Sequence, residues 1–145
     1  MEVHSTRFGR IEFAGDDAVS FPEGLFGFPD ARQWVLLADP ENEALAWLQS
    51  TTRPELAVAV VSPRRFVPRY QLRVCRRELE PLGIEDLGSA CVLAVISRSE
   101  GGLSLNLQAP LVLDVDRRVG RQVIANGNVP LRHFLTPPAA LRKSA

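Results

Sequence analysis

Cysteine, histidine and lysine are nearly missing from this sequence, which has two, two and one of them in 145 residues. Cys75 and Cys91 share no CxxC spacing, and with only His4 and His133 beside them no zinc site assembles at a recognised spacing. Charge of one sign is lacking too, since 17 Lys and Arg residues balance 17 Asp and Glu residues. Zero formal charge with a hydrophobic fraction of 46% excludes a wholly disordered chain. No apolar run approaches the roughly 18–20 residues of a membrane helix. Residues 1–6 lack the basic and apolar regions of a secretory signal. These absences lead to the expectation of one soluble cytoplasmic domain, long enough for a single core.

Catalytic patterns are missing as well. There is no GxSxG, HExxH or phosphate-cradling glycine loop. His133, within Arg132-His133-Phe134-Leu135, is the one candidate general base, and a lone histidine beside an arginine is ordinarily a packing or capping residue. Cys91 lies in an apolar run over 90–96 and reads as a small buried hydrophobe. Cys75 stands beside Arg73, Arg76 and Arg77, which favour a thiolate, yet it has no base or oxyanion site nearby. The expectation is a protein without enzyme activity, cofactor or metal.

Eleven prolines and ten glycines punctuate the chain at short intervals. Between them lie short runs rich in β-branched residues, at 34–38, 57–62 and 90–97, with alternating segments at 7–13 and 69–74. Further strands are expected at 18–21, 103–107, 111–115 and 119–124, the last two joined as a hairpin through Asp116-Arg117-Arg118. This rhythm predicts a mostly β fold, a small antiparallel β-barrel-like single domain with one or two short helices, at 77–82 and 85–87. The barrel domain is expected over 1–137, followed by a tail at 138–145 with a helical turn at 138–143. One segment has two local readings. Asp39-Pro40-Glu41 is a good helix start, and Ala44, Leu45, Trp47 and Leu48 fit a helical stripe behind it. The alternative is a turn at 39–43 and a strand at 44–50.

All basic residues except Lys143 are arginine, sixteen of them. Six arginines fall between 64 and 77, interleaved with Phe66 and Tyr70, and no acid occurs from 56 to 77. One reading is a strand over Arg64 to Arg77 that binds single-stranded nucleic acid directly. The other is a charged, solvated edge strand with Tyr70, Leu72 and Val74 facing inward. The amides Asn106, Gln108 and Gln122 also admit two readings. They satisfy main-chain groups where a strand ends at Pro110, or they form the hydrogen-bonding part of a docking surface.

Several segments occur together in one order: Phe8-Gly9, Phe21-Pro22-Glu23-Gly24-Leu25-Phe26-Gly27-Phe28, Trp47-Leu48-Gln49-Ser50, Asn106-Leu107-Gln108-Ala109-Pro110, Gly120-Arg121-Gln122-Val123 and Arg132-His133-Phe134-Leu135. Each is weak alone, but in register over about residues 6 to 135 they resemble the flagellar assembly factor FliW family. The resemblance implies a small β-barrel-like cytoplasmic protein without enzyme activity, and a strand over 44–50. It implies two protein partners, flagellin and the RNA-binding translational repressor CsrA, and a switch between them that relieves CsrA repression of flagellin mRNA translation. Neither direct nucleic-acid binding nor a membrane is expected, and the chain is expected to be a monomer. Within that reading the partner-binding residues are Gly24, Leu25, Phe26, Gly27, Phe28, Asn106, Gln108, Pro110, Gln122, Arg132 and His133, with Phe21, Trp47 and Leu107 in the core.

Overall fold

The structure is a computed structural model and describes residues 1–135. The tail expected over 138–145, with its helical turn, lies outside the described residues. Strands β1 (Glu2–Ser5) and β2 (Gly9–Glu12) form an antiparallel hairpin of their own. Seven strands then close into a barrel: β3 (Ala18–Ser20), β4 (Gln33–Ala38), β5 (Leu45–Ser50), β6 (Ala57–Val61), β7 (Cys91–Ser99), β8 (Gly102–Asp114) and β9 (Val119–Gln122). Neighbours run antiparallel except at the closure, where β3 and β9 meet in parallel through the single pair Ser20 and Val119. A two-residue strand, β10 (His133–Phe134), adds to the side of β8.

Period-two alternation sorts the core. Leu111 and Leu113 join Val19, Phe21, Leu25, Trp34, Leu48 and Val60 in the barrel interior. Val112, between them, points outward and packs with Leu79, Leu82, Ile84 and Val123. A second outer cluster holds Val61, Ala94, Leu105 and Leu107, with Val67, Tyr70 and Leu135 packed against it. The 62–90 segment therefore wraps the outside of the barrel and covers apolar residues that a bare barrel would expose. Within it lie the one α-helix among the described residues, α1 (Arg76–Leu79), and the 3-10 turns Glu80–Leu82 and Leu87–Ser89. The helix expected at 77–82 is thus a short α-helix running into a 3-10 turn, whereas at 85–87 Glu85 and Asp86 are not helical and only Leu87 enters a 3-10 turn, which Asp86 caps.

The arginine-rich run is not a strand. Residues 63–65 make a 3-10 turn, 70–75 are extended without a ladder, and Arg76 begins α1. Its alternation is nevertheless real: Tyr70, Leu72 and Val74 are half-buried while Gln71, Arg73 and Cys75 are exposed. The apolar set packs on the outer clusters, so burial sets the alternation and no neighbouring strand is required.

Of segment 44–50, Leu45–Ser50 is a strand and Ala44 still belongs to the turn; the strand pairs with β4 from Trp34↔Ser50 to Ala38↔Ala46. The helix-start signals at Asp39 serve a turn, its carboxylate accepting from the Glu41 and Asn42 amides at 3.1 and 2.9 Å. Because Leu48 is interior, Trp47 faces outward, half-buried, and is not a core residue. Its indole N–H donates to Asp39 at 3.0 Å, which lowers the Asp39 carboxyl below its usual range. The Arg7 guanidinium lies 4.5 Å over the ring and Phe8 meets it edge-on at 5.5 Å, which docks the β1–β2 hairpin. Ser5 completes that dock by donating to buried Gln49 at 2.7 Å.

Candidate partner-binding site

The expected strands at 103–107 and 111–115 are one strand, β8, with a wide irregularity between them. Leu93 of β7 pairs with Leu111, whereas Val95 pairs with Asn106, so residues 107–110 of β8 stand opposite Ala94 alone. Proline has no amide to give a ladder and is tolerated at such a site, where Pro110 is fully buried. The carbonyl oxygen of the Asn106 side chain shapes the excursion. It accepts from the main-chain N–H of Gln108 at 3.1 Å and of Ala109 at 3.0 Å, turning the strand out and back. Gln108, by contrast, is exposed and its side chain makes no hydrogen bond among the described residues.

The Phe21–Phe28 motif folds into a tight turn closed by reciprocal main-chain bonds between Leu25 and Phe28. Phe21 and Leu25 are anchored in the barrel interior, whereas Phe26 is 53% exposed. Gly24 has φ +69°, and a Cβ there would lie 2.4 Å from the Phe28 carbonyl oxygen, so only glycine fits.

Gln122 joins these two motifs. Its side-chain oxygen accepts from the Phe26 amide at 2.7 Å, and its side-chain nitrogen donates to the Ala109 carbonyl at 2.9 Å. The residue is buried, and its bond to Ala109 lies away from water, where a missing partner is most costly, while the bond to Phe26 is part-buried. Next to it, Arg121 bridges the carboxylate of Glu23, just before the turn, and Glu78 of α1, also reaching the Glu78 carbonyl at 2.8 Å. Turn, β8 excursion, β9 and α1 are thereby locked as one unit, with Phe26, Gln108 and the 48% exposed Ile124 on its surface.

Of the residues expected to bind partners, Gly24, Leu25, Phe26, Gly27 and Phe28 make the turn, Asn106, Gln108 and Pro110 the β8 excursion, and Gln122 joins the two. Arg132 and His133 sit further along β8, where His133 pairs with Leu105 and Phe134 with Ser104. They are tied to the excursion by the Leu107 amide, which donates to the Pro130 carbonyl at 3.2 Å. Roles missed in the sequence are those of Arg121, Glu23, Glu78 and Ala109. Residues so far apart along the chain leave no local signal for such bonds.

Of the acids that follow the arginine run, Glu78 pairs with Arg121. Arg65 reaches Glu43 at 3.6 Å. Among the described residues, Arg64, Arg69, Arg73, Arg76 and Arg77 have no carboxylate within 4.0 Å. No cluster of three or more His, Cys, Asp or Glu side chains suited to a metal ion occurs among the described residues. No helix among them is long and apolar enough to cross a membrane.

Comparison with known proteins bears on the same segments. The family model described as FliW protein matches residues 2–135. The flagellar assembly factor FliW of Bdellovibrio bacteriovorus is 34% identical over 135 residues, covering 91% of this chain and 77% of that protein. The Moorella thermoacetica protein of the same name is 34% identical over 130 residues, covering 88% of this chain and 82% of the relative. A crystal structure of the flagellar assembly factor FliW superimposes with a TM-score of 0.86 at 30% identity, covering 96% of this chain and 99% of that one.

Proposed function

The chain belongs to the FliW family of flagellar assembly factors, and from that premise we propose that it is a cytoplasmic, monomeric, non-enzymatic regulator that switches between flagellin and CsrA. Bound to CsrA, it relieves repression of flagellin mRNA translation. Accumulating flagellin takes it away, and repression returns. The working face is the unit built around Gln122, from Gly24, Leu25, Phe26, Gly27, Phe28, Asn106, Gln108 and Pro110, with Arg132 and His133 at its flank.

The observation that supports this reading is the buried Gln122 bridge from Phe26 to Ala109. It holds an exposed aromatic and an exposed amide in fixed relation, so that a partner meets a preorganised surface and little ordering entropy is lost on binding. Phe26 supplies the apolar anchor and Gln108 an unpaired donor and acceptor beside it.

Co-purification and calorimetry with flagellin and with CsrA from the same organism test the proposal. Binding to both, each displacing the other, is expected, and Phe26→Ala with Gln108→Ala should weaken at least one by tenfold or more. Failure to bind either partner overturns it.

A further inference from the structure

We propose that a cleft on the outside of the barrel, lined by none of the residues of the Gln122 unit, is a second docking site that takes an extended, carboxylate-bearing segment of a partner protein. This goes beyond the switching face and does not depend on which partners that face binds. The cleft has a volume of about 450 Å³, and its lining includes Ser62, Arg64, Tyr70, Arg73, Ala90 and Val92.

Two observations carry the proposal. Strand β6 pairs with β7 only at Val60↔Val95 and Val61↔Ala94, because Pro63 then begins a turn that leads the chain away. Residues 91–93 of β7 consequently pair with β8 alone, and no main-chain bond joins them to the 62–73 segment. The opposite wall, 70–73, is extended and likewise belongs to no ladder. A cleft between two extended segments, one of them an open strand edge, suits an added strand.

The second observation is charge. Arg64 and Arg73 line the cleft, neither has a carboxylate within 4.0 Å among the described residues, and no acid is in the lining. Asp86, beside it in sequence, is engaged by the Gly88 amide at 2.9 Å. Arg64 has committed only its Nε, to the Tyr70 carbonyl at 3.0 Å, so its terminal nitrogens remain for a ligand. A peptide fits this better than RNA does. Tyr70 is the only tyrosine, and its ring is packed on the outer cluster of Val61 and Ala94, which leaves no stacking platform in the lining.

The test uses the full chain and a fluorescein-labelled eight-residue peptide alternating glutamate and valine. Its glutamine-for-glutamate counterpart and an oligouridine RNA serve as the comparison probes. The acidic peptide should bind with amide shifts confined to residues 70–73 and 90–93 in heteronuclear NMR, and the glutamine peptide should bind at least tenfold more weakly. The variant Arg64→Gln/Arg73→Gln should lose tenfold or more in affinity, while Arg10→Gln on the separate hairpin leaves it unchanged. Arg73→Gln alone removes a guanidinium that bonds to nothing among the described residues, so its expected threefold or greater loss reports the cleft and not the fold. Equal binding of the two peptides, shifts elsewhere, unchanged affinity in the arginine variants, or RNA binding at these amides in place of the peptide overturns the proposal.

Discussion

Gln122 and Phe26 stand 96 positions apart in sequence, yet the side-chain oxygen of one accepts the main-chain hydrogen of the other at 2.7 Å. The bond decides where the 21–28 turn sits on the barrel. It also makes the first prediction sharp. Gln122→Met keeps the length and apolar stem of the side chain but leaves the Phe26 N–H and Ala109 C=O without partners. Each unpaired buried group costs roughly 1–3 kcal/mol, so the urea midpoint should fall by the equivalent of about 2–4 kcal/mol. Partner binding should fall beyond what unfolding explains, since the turn is released from β8.

Gly24 and Gly27 share the left-handed region at φ +69° and +90° but differ in what surrounds them. Gly27→Ala meets open space and should lose only the conformational penalty, about 1–2 kcal/mol. Gly24→Ala drives a Cβ into the Phe28 carbonyl at 2.4 Å and must displace the turn. Thermal denaturation should rank Gly24→Ala well below Gly27→Ala, and equal losses would refute the close-approach argument.

Asn106 and Gln108 are separated by function although they are neighbours in one motif. Asn106→Ala removes the acceptor for two amides and should destabilise the fold by about 1–2 kcal/mol. Gln108→Ala removes an exposed side chain and should change stability by less than about 0.5 kcal/mol. A loss of partner affinity in Gln108→Ala at unchanged stability would assign that side chain to the surface chemistry.

Burial raises both the Cys91 thiol and the Tyr70 phenol above their ordinary values of 9.0 and 10.0. The folded state therefore keeps protons that the unfolded state gives up. Stability from this source is complete below about pH 9 and declines as pH rises through the folded values. Guanidinium melts between pH 8 and 11 should show the decline, and Cys91→Ala with Tyr70→Phe should flatten it. Tyr70→Phe by itself should not destabilise at neutral pH, because it deletes a hydroxyl that bonds to nothing.

Strand-and-turn punctuation made the barrel legible, because interior residues such as Val60 and Leu111 obey the two-residue period on which a sheet depends. The 69–74 segment shows where that logic stops. Alternating burial needs a surface to lie on, and the outer face of the barrel served as well as a neighbouring strand would. At 39–50 the helix signals of Asp39 and Pro40 were genuine local preferences, and pairing of Trp47 with Leu37 and Ala59 overrode them. At the candidate site, Asn106 was readable as an amide needing partners, and its partners are local. Gln122 was readable as an amide of the same kind, but its partners and the role of Arg121 were not, since those partners lie in the turn, β8 and α1 and only the closed barrel brings them within reach.

The barrel is a ring only through Ser20 and Val119, residues far apart in sequence, helped by the Ser20 amide donating to the Arg118 carbonyl at 2.9 Å. Every other junction is a ladder of two or more rungs; this one has a single rung. Closing the ring between such distant residues costs more loop entropy than any junction of the meander from β3 to β8. The same place is the natural seam of the finished molecule. The strand ladder has one rung to lose there, and side chains make up for it, since Gln122 and Arg121 of β9 hold Phe26 and Glu23 of the segment that follows β3.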